Sequence, residues 1–176
     1  KWQSAFNANM KYKHYFDANL KAIGDVLPNK VATNDIFVTL GSPWVPPEII
    51  DEFIAYLMGR SYGSAVNHKI IHDELTGTWD IPYKSAYSTN AKSYSTYGTN
   101  RMRALNIIEK TLNMKPIVVT DEITTKTTKT GTKRIVNRAE TLAAVEKQRK
   151  IIEVFQKWIW KDPDRKEKLE TIFENN

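Results

Sequence analysis

Between Pro82 and Arg103 the chain carries Lys84, Lys92, Arg101 and Arg103 and no Asp or Glu. The same stretch holds Tyr83, Tyr87, Tyr94 and Tyr97, with Ser and Thr between them. Cations neutralise phosphate oxygens, flat rings stack on bases, and short hydroxyls hydrogen-bond to a sugar-phosphate backbone. The chemistry this composition offers is the holding of nucleic acid, not the making or breaking of bonds. Lys84, Lys92, Arg101 and Arg103 are the expected phosphate partners, and Tyr94 and Tyr97 the expected stacking or hydrogen-bonding groups. Lys126, Lys129, Lys133 and Arg134 form a second candidate contact around a Thr- and Lys-rich segment at 124–132. Arg101 stands near an expected helix start, where a cation opposes the dipole and a bound phosphate would relieve it. Tyrosine is equally a residue of packed protein interfaces, so these side chains also suit a structural connector.

The charge distribution points the same way. Net charge is +6 over 176 residues. Residues 1–60 hold 6 basic and 6 acidic side chains, residues 61–136 hold 11 and 6, and residues 137–176 hold 9 and 8. The excess therefore lies in the middle third, and a localised basic surface attracts polyanions. A solvated basic face that only keeps the protein in solution accounts for the same count.

The groupings used for catalysis are missing. There is no cysteine, which removes disulfides, thiolate metal sites and a thiol nucleophile together and fits a reducing cytoplasm. His68 and His72 sit on an alternating pattern; on a strand they lie about 13 Å apart, too far to share a metal ion. Thr130-Gly131-Thr132-Lys133 lacks the upstream glycine of a phosphate loop. Val45-Pro46-Pro47-Glu48 has no amide, carboxylate or aromatic ring where an amino-methyltransferase loop needs one. The acidic pairs Asp51-Glu52, Asp73-Glu74 and Asp121-Glu122 have no nucleophile beside them in sequence. We expect no catalytic residue, metal or cofactor in this chain.

Apolar residues make up 41% and charged residues 26%, the balance of an ordinary globular domain, and the length favours one domain over residues 1–176. No apolar run reaches the length of a membrane span, and the first residues do not resemble a signal peptide. The chain begins at Lys1 without Met and ends at Asn176 inside a helical pattern, so both ends read as cuts in a longer polypeptide.

Periodicity predicts an α+β fold of four to five helices with one or two small antiparallel hairpins. A helix is expected over 10–27, a strand or docked extended segment over 36–40, and a helix from Pro46-Pro47-Glu48 to Gly59 with Ile49, Ile50, Phe53, Ile54 and Leu57 inward. Residues 66–81 read as a hairpin around Thr76-Gly77. A third helix is expected over 100–113, capped by Thr99 or Asn100. Residues 117–120 and 133–136 read as paired strands. Asn137 should cap a long helix running to about 161, with Leu142, Val145, Ile152, Phe155 and Ile159 as its seam. Of Trp158 and Trp160, one should pack inside. Asp162-Pro163 opens a short last helix carrying Leu169, Ile172 and Phe173.

Three segments carry a family likeness. They are Leu40-Gly41-Ser42-Pro43-Trp44-Val45-Pro46-Pro47-Glu48 running into Phe53; Tyr97-Gly98-Thr99-Asn100-Arg101-Met102 followed by Ile108-Glu109-Lys110-Thr111-Leu112-Asn113; and the block from Asn137 through Trp158-Ile159-Trp160-Lys161-Asp162-Pro163 to Phe173. Together they resemble the connecting region of the large methyltransferase–helicase polypeptides of bacterial phages, plasmids and integrative elements. The resemblance covers most of residues 36–176. It implies a DNA amino-methyltransferase before this region and a Swi/Snf-type ATPase of helicase superfamily two after it, both in the same chain. It also implies that the methyl-transfer and ATP sites lie outside the segment. The expected function is a non-catalytic, DNA-contacting accessory domain in the bacterial cytoplasm. Its partners would be DNA, mostly through the phosphate backbone, and the two flanking modules, with no membrane. The alternative is a purely structural connector between those modules.

Overall fold

The computed structural model describes residue 7 and residues 17–26, 36–60, 69–124 and 132–175. The chain divides into two compact units, residues 1–36 and residues 37–176. In the first unit, helix α1 spans Asp17–Val26 and begins with an aspartate, which suits the positive end of the helix dipole. The remainder of the helix expected over 10–27 lies outside the described residues.

The second unit is α+β, as the periodicity predicts. It holds helices α2 (Pro47–Met58), α3 (Ala104–Leu112), α4 (Arg138–Ile159) and α5 (Pro163–Asn175). Its described residues also hold two antiparallel hairpins, β1 (Ile71–Asp73) with β2 (Thr78–Asp80) and β3 (Thr120–Thr124) with β4 (Thr132–Val136). Val38 and Leu40 are buried in a segment that pairs with no strand among the described residues, so this part of the run expected over 36–40 is docked rather than a strand. Pro47 opens α2 because the first turn needs no N–H from it. Ile49, Ile50, Phe53, Ile54 and Leu57 are all buried.

The core forms where α2, α3 and α4 meet. Phe53 packs edge-on against Phe155 at 5.0 Å between ring centroids and meets Trp158 at 5.2 Å. Ile107, Ile108 and Leu112 of α3 and Ile151 and Ile159 of α4 are buried with them. Trp158 is the inward tryptophan; Trp160 is half-buried. The α4 seam is displaced from the expected one. Ala144, Ile151, Phe155, Trp158 and Ile159 are buried, whereas Leu142 is exposed and Val145 and Ile152 are half-buried. Gln148 lies in the seam because its amide donates to the Thr111 hydroxyl at 3.0 Å.

Arg165 locks α5 onto this core. Its guanidinium donates to the carbonyls of Ile159 and Trp158, at 3.0 and 2.8 Å, and to Glu52 at 2.7 Å. It also lies 3.6 Å from the centre of the Trp158 ring. The Ile159 carbonyl is thereby satisfied by a cation at the negative end of the dipole, and the Trp158 carbonyl, which also accepts from the Lys161 N–H at 3.1 Å, gains a further donor.

The β1–β2 hairpin hangs from α3 by two side chains. Asn113 accepts from the Trp79 N–H at 2.9 Å and donates to the Trp79 carbonyl at 2.8 Å, pairing as a third strand would. Glu109 accepts from the Ile81 N–H at 2.9 Å. Both belong to the motif Ile108-Glu109-Lys110-Thr111-Leu112-Asn113, whose role here is to dock the hairpin.

Helix α3 begins later than expected. Arg103 is its N-cap and neither Thr99 nor Asn100 is. Thr99 instead closes the preceding turn: its hydroxyl accepts from the Met102 N–H at 3.0 Å and its N–H donates to the Met102 carbonyl at 2.8 Å. Asn137 caps α4 as expected, accepting from the Glu140 N–H at 3.0 Å. Residues 117–119 are extended with Ile117 and Val119 buried, and the strand proper starts at Thr120.

Candidate nucleic-acid interface

The acid-free stretch does not form one surface. Its first half turns inward. Residues Lys84–Tyr87 make a short 3-10 turn. Tyr87 is buried beneath the Arg60 guanidinium, and burial pushes its hydroxyl pKa up. The Tyr83 hydroxyl donates to Asp51, a buried carboxylate that also accepts from the Ile70 N–H. Lys84 donates to Glu109 at 2.5 Å and lies 3.7 Å from Asp80. Burial raises the Glu109 pKa, but the Lys84 ammonium and the Ile81 N–H outweigh it and hold the carboxyl below its ordinary value. Lys84 is therefore an internal clamp of the hairpin.

The second half turns outward. Residues Lys92–Thr96 form a single π-helical turn, closed by the Tyr97 N–H donating to the Lys92 carbonyl at 2.9 Å. Gly98 lets this turn press against the start of α3. A Cβ built on Gly98 would stand 2.1 Å from the Ser93 carbonyl oxygen and 2.5 Å from the Ala104 nitrogen. Only a residue without a Cβ permits that approach.

Three cations from two distant parts of the chain converge on Tyr94, Ser95 and Tyr97. The Arg103 guanidinium lies 5.1 Å from the centre of the Tyr94 ring. The Lys147 ammonium donates to the Ser95 carbonyl at 2.6 Å. The Lys150 ammonium lies 5.3 Å from the centre of the Tyr97 ring. Burial raises the Tyr97 hydroxyl pKa, so the group stays a neutral donor. Lys92 sits at the other edge of the turn against Gly59, the C-cap of α2, where the dipole favours a cation. None of these four cations has a carboxylate partner among the described residues, whereas Lys84, Arg101 and Arg134 do.

Arg101 pairs with Asp121 at 2.8 Å and donates to the Thr120 carbonyl at 2.9 Å. The helix-start argument for it does not hold, because α3 begins at Ala104 and Arg101 lies in the turn before it. Asp121 also accepts from the Asn137 side chain at 2.8 Å, so Arg101, Asp121 and Asn137 tie the turn, β3 and the α4 cap together. The Asn137 amide and then Arg101 hold the Asp121 carboxyl below its ordinary pKa. Arg134 pairs across the second hairpin with Glu122 at 2.9 Å. Lys133 is exposed beside it, and Lys126 and Lys129 lie outside the described residues.

Five of the six carboxylates in the acidic pairs have structural partners. Asp51 binds Tyr83 and the Ile70 N–H; Glu52 binds Arg165; Asp73 accepts from the Thr76 hydroxyl and the Leu75 N–H; Asp121 and Glu122 bind Arg101 and Arg134. His72 stacks on Trp79 at 3.9 Å within the hairpin. Among the described residues no group of three His, Asp or Glu side chains could hold a metal ion, and no helix is long and apolar enough to cross a membrane.

Sequence reasoning missed Lys147 and Lys150. Their spacing of three on a helix places them on one face, and that was the available signal. What it lacked was the partner of that face, a turn 52 residues away.

Residues 39–176 match the model of a family described as a domain of unknown function (DUF8437). The match contains the whole turn and every cation around it. Neither a curated protein nor a solved structure matches the chain.

Proposed function

The chain belongs to the DUF8437 family, and we propose that it acts as a non-catalytic, DNA-contacting accessory region of a mobile-element DNA methyltransferase–helicase. The observation that carries the DNA reading is the turn at Tyr94–Tyr97, on which Arg103, Lys147 and Lys150 converge without carboxylate partners among the described residues. Cations held beside aromatic rings are a means of gripping a phosphate backbone while offering a flat surface to bases. The contact is to the backbone in the main, since none of the base-reading motifs is present. The methyltransferase–helicase context rests on the three resembling segments.

Fluorescence anisotropy with labelled DNA over a salt series tests this. Log K should fall linearly with log salt. Replacing Lys147 and Lys150 by Ala should flatten the slope by about 0.7–0.9 for each phosphate that is no longer neutralised. No binding at low salt, or an unchanged slope in that variant, would overturn the DNA reading.

A second reading, the structural connector, has its own support. Lys84, Arg101 and Arg134 are engaged in ion pairs within the chain. The β3–β4 hairpin leaves Ile123 and Ile135 open on one face, and Leu142 of α4 is exposed. That reading predicts tight association with a flanking module and no affinity for DNA.

A further inference from the structure

We infer that the nucleic acid held at this turn is single-stranded DNA, with a base stacked on Tyr94. The inference rests on the DNA-contacting reading above and specifies its ligand. Of the four tyrosines in the acid-free stretch, Tyr83 and Tyr87 serve the interior and Tyr97 is half-buried. Tyr94 alone is exposed, at 37% of its surface, although the Arg103 guanidinium lies over its ring.

An aromatic ring backed by a guanidinium is a stacking platform. The cation limits the ring's rotation, so less freedom is lost when a base arrives. Base faces are available only where bases are unpaired, because in a duplex each face is covered by its neighbour. A duplex contact would instead place cations along an extended face to follow phosphates. Here Arg103, Lys147 and Lys150 gather around one turn, a footprint that matches a short run of unpaired nucleotides. Lys147 and Lys150 flank the platform as phosphate partners, and every base has a π-face, so the grip is tolerant of sequence.

The test compares a labelled thymidine oligonucleotide of about 16 nucleotides with a duplex of similar length, using the 176-residue chain. Single strand should bind at least about ten-fold tighter. Tyr94→Ala and Tyr94→Leu should each weaken single-strand binding by about 5- to 150-fold, and Tyr94→Trp should preserve it. Tyr94→Leu keeps apolar bulk, so a loss there is not a loss of folding. Duplex binding should change by less than about two-fold in all three variants. Single-strand affinity that is unmoved by Tyr94→Leu but falls in the Lys147 and Lys150 variants would overturn this inference and leave the DNA reading standing. Absence of binding to either form would overturn both.

Discussion

Replacing Gly98 by Ala tests the geometry on which the candidate interface depends. The added Cβ would meet the Ser93 carbonyl oxygen at 2.1 Å, the Ala104 nitrogen at 2.5 Å and the Arg103 carbonyl carbon at 3.0 Å. All three are backbone atoms, so no side-chain rotation relieves the overlap. The π turn and the start of α3 must move apart by about 1 Å to restore van der Waals distance. Overpacking of this kind costs about 1–3 kcal/mol or more, and two simultaneous backbone overlaps place Gly98→Ala near the top of that range. The lower entropy of the unfolded alanine chain offsets about 0.4–1 kcal/mol of it. The net loss should be about 2–3 kcal/mol, which lowers Tm by about 10 °C in a unit of this size. Urea denaturation should show the midpoint falling by about 1–2 M with m unchanged. Gly77→Ala is the control: its φ is +64°, but nothing lies within 4 Å of the built Cβ, so only the left-handed backbone penalty of about 1–2 kcal/mol applies. If Gly98→Ala costs no more than Gly77→Ala, the close approach is not a requirement of the fold and the reasoning fails. Below its Tm, Gly98→Ala should also weaken DNA binding, because separating the turn from α3 parts Tyr94 from Arg103.

Arg165→Met removes the partner of Glu52, takes its donor from the Ile159 carbonyl and leaves the Trp158 carbonyl only backbone donors; it should cost about 3 kcal/mol, and a loss below about 1 kcal/mol in urea denaturation would contradict the locking role. Glu109→Gln reports on pH: because the folded carboxyl is held below its ordinary value of 4.5, its contribution is complete above that pH and is lost as pH falls through the folded pKa. The wild type should therefore lose stability on acidification more steeply than the variant, and parallel acid limbs in the two urea-midpoint profiles would rule the linkage out.

Helices, hairpins and most caps follow local rules, but the α3 cap does not: Arg103 takes it, and the expected Thr99 closes the preceding turn instead. Pro47 at the start of α2, Gly59 after it and Asn137 before α4 act through their own backbone or nearest neighbours, and all stand where the rules put them. The α4 seam was legible at its C-terminal end, where Phe155 and Ile159 are buried as expected, but not at its start, because hydropathy ranks Leu142 above Ala144. Burial is decided by what faces the helix, and Ala144 is fully buried while Leu142 is 62% exposed. Arg165 was hidden for the opposite reason: a lone arginine in a polar helix reads as solvated, and its partners, the carbonyls at the end of α4, leave no mark on sequence. The candidate site was legible in part. Tyr94, Tyr97, Arg103 and Lys92 were in the expected set, while Lys147 and Lys150 reach it from a separate helix.

The same point explains why the acid-free stretch overstated its own charge. A run without Asp or Glu is basic along the chain, but surface potential is set in space. Glu109 folds back on Lys84 from 25 residues away, and Asp121 on Arg101 from the next hairpin. These two cations are neutralised by acids that any window centred on the stretch leaves out or dilutes. In exchange, Lys147 and Lys150 bring charge from α4 to the turn, so the positive centre moves toward Tyr94–Tyr97. The functional candidate is thus smaller than the sequence stretch and made from more of the chain. Gly98 sets the π turn against the start of α3, and the Arg101–Asp121–Asn137 chain holds the loop between them to β3 and the α4 cap. Gly98, Arg101 and Asn137, which lie in the resembling segments, would thus support the candidate interface without touching a ligand, and the side chains that would touch one are Tyr94, Lys147 and Lys150, with Arg103 backing the Tyr94 ring.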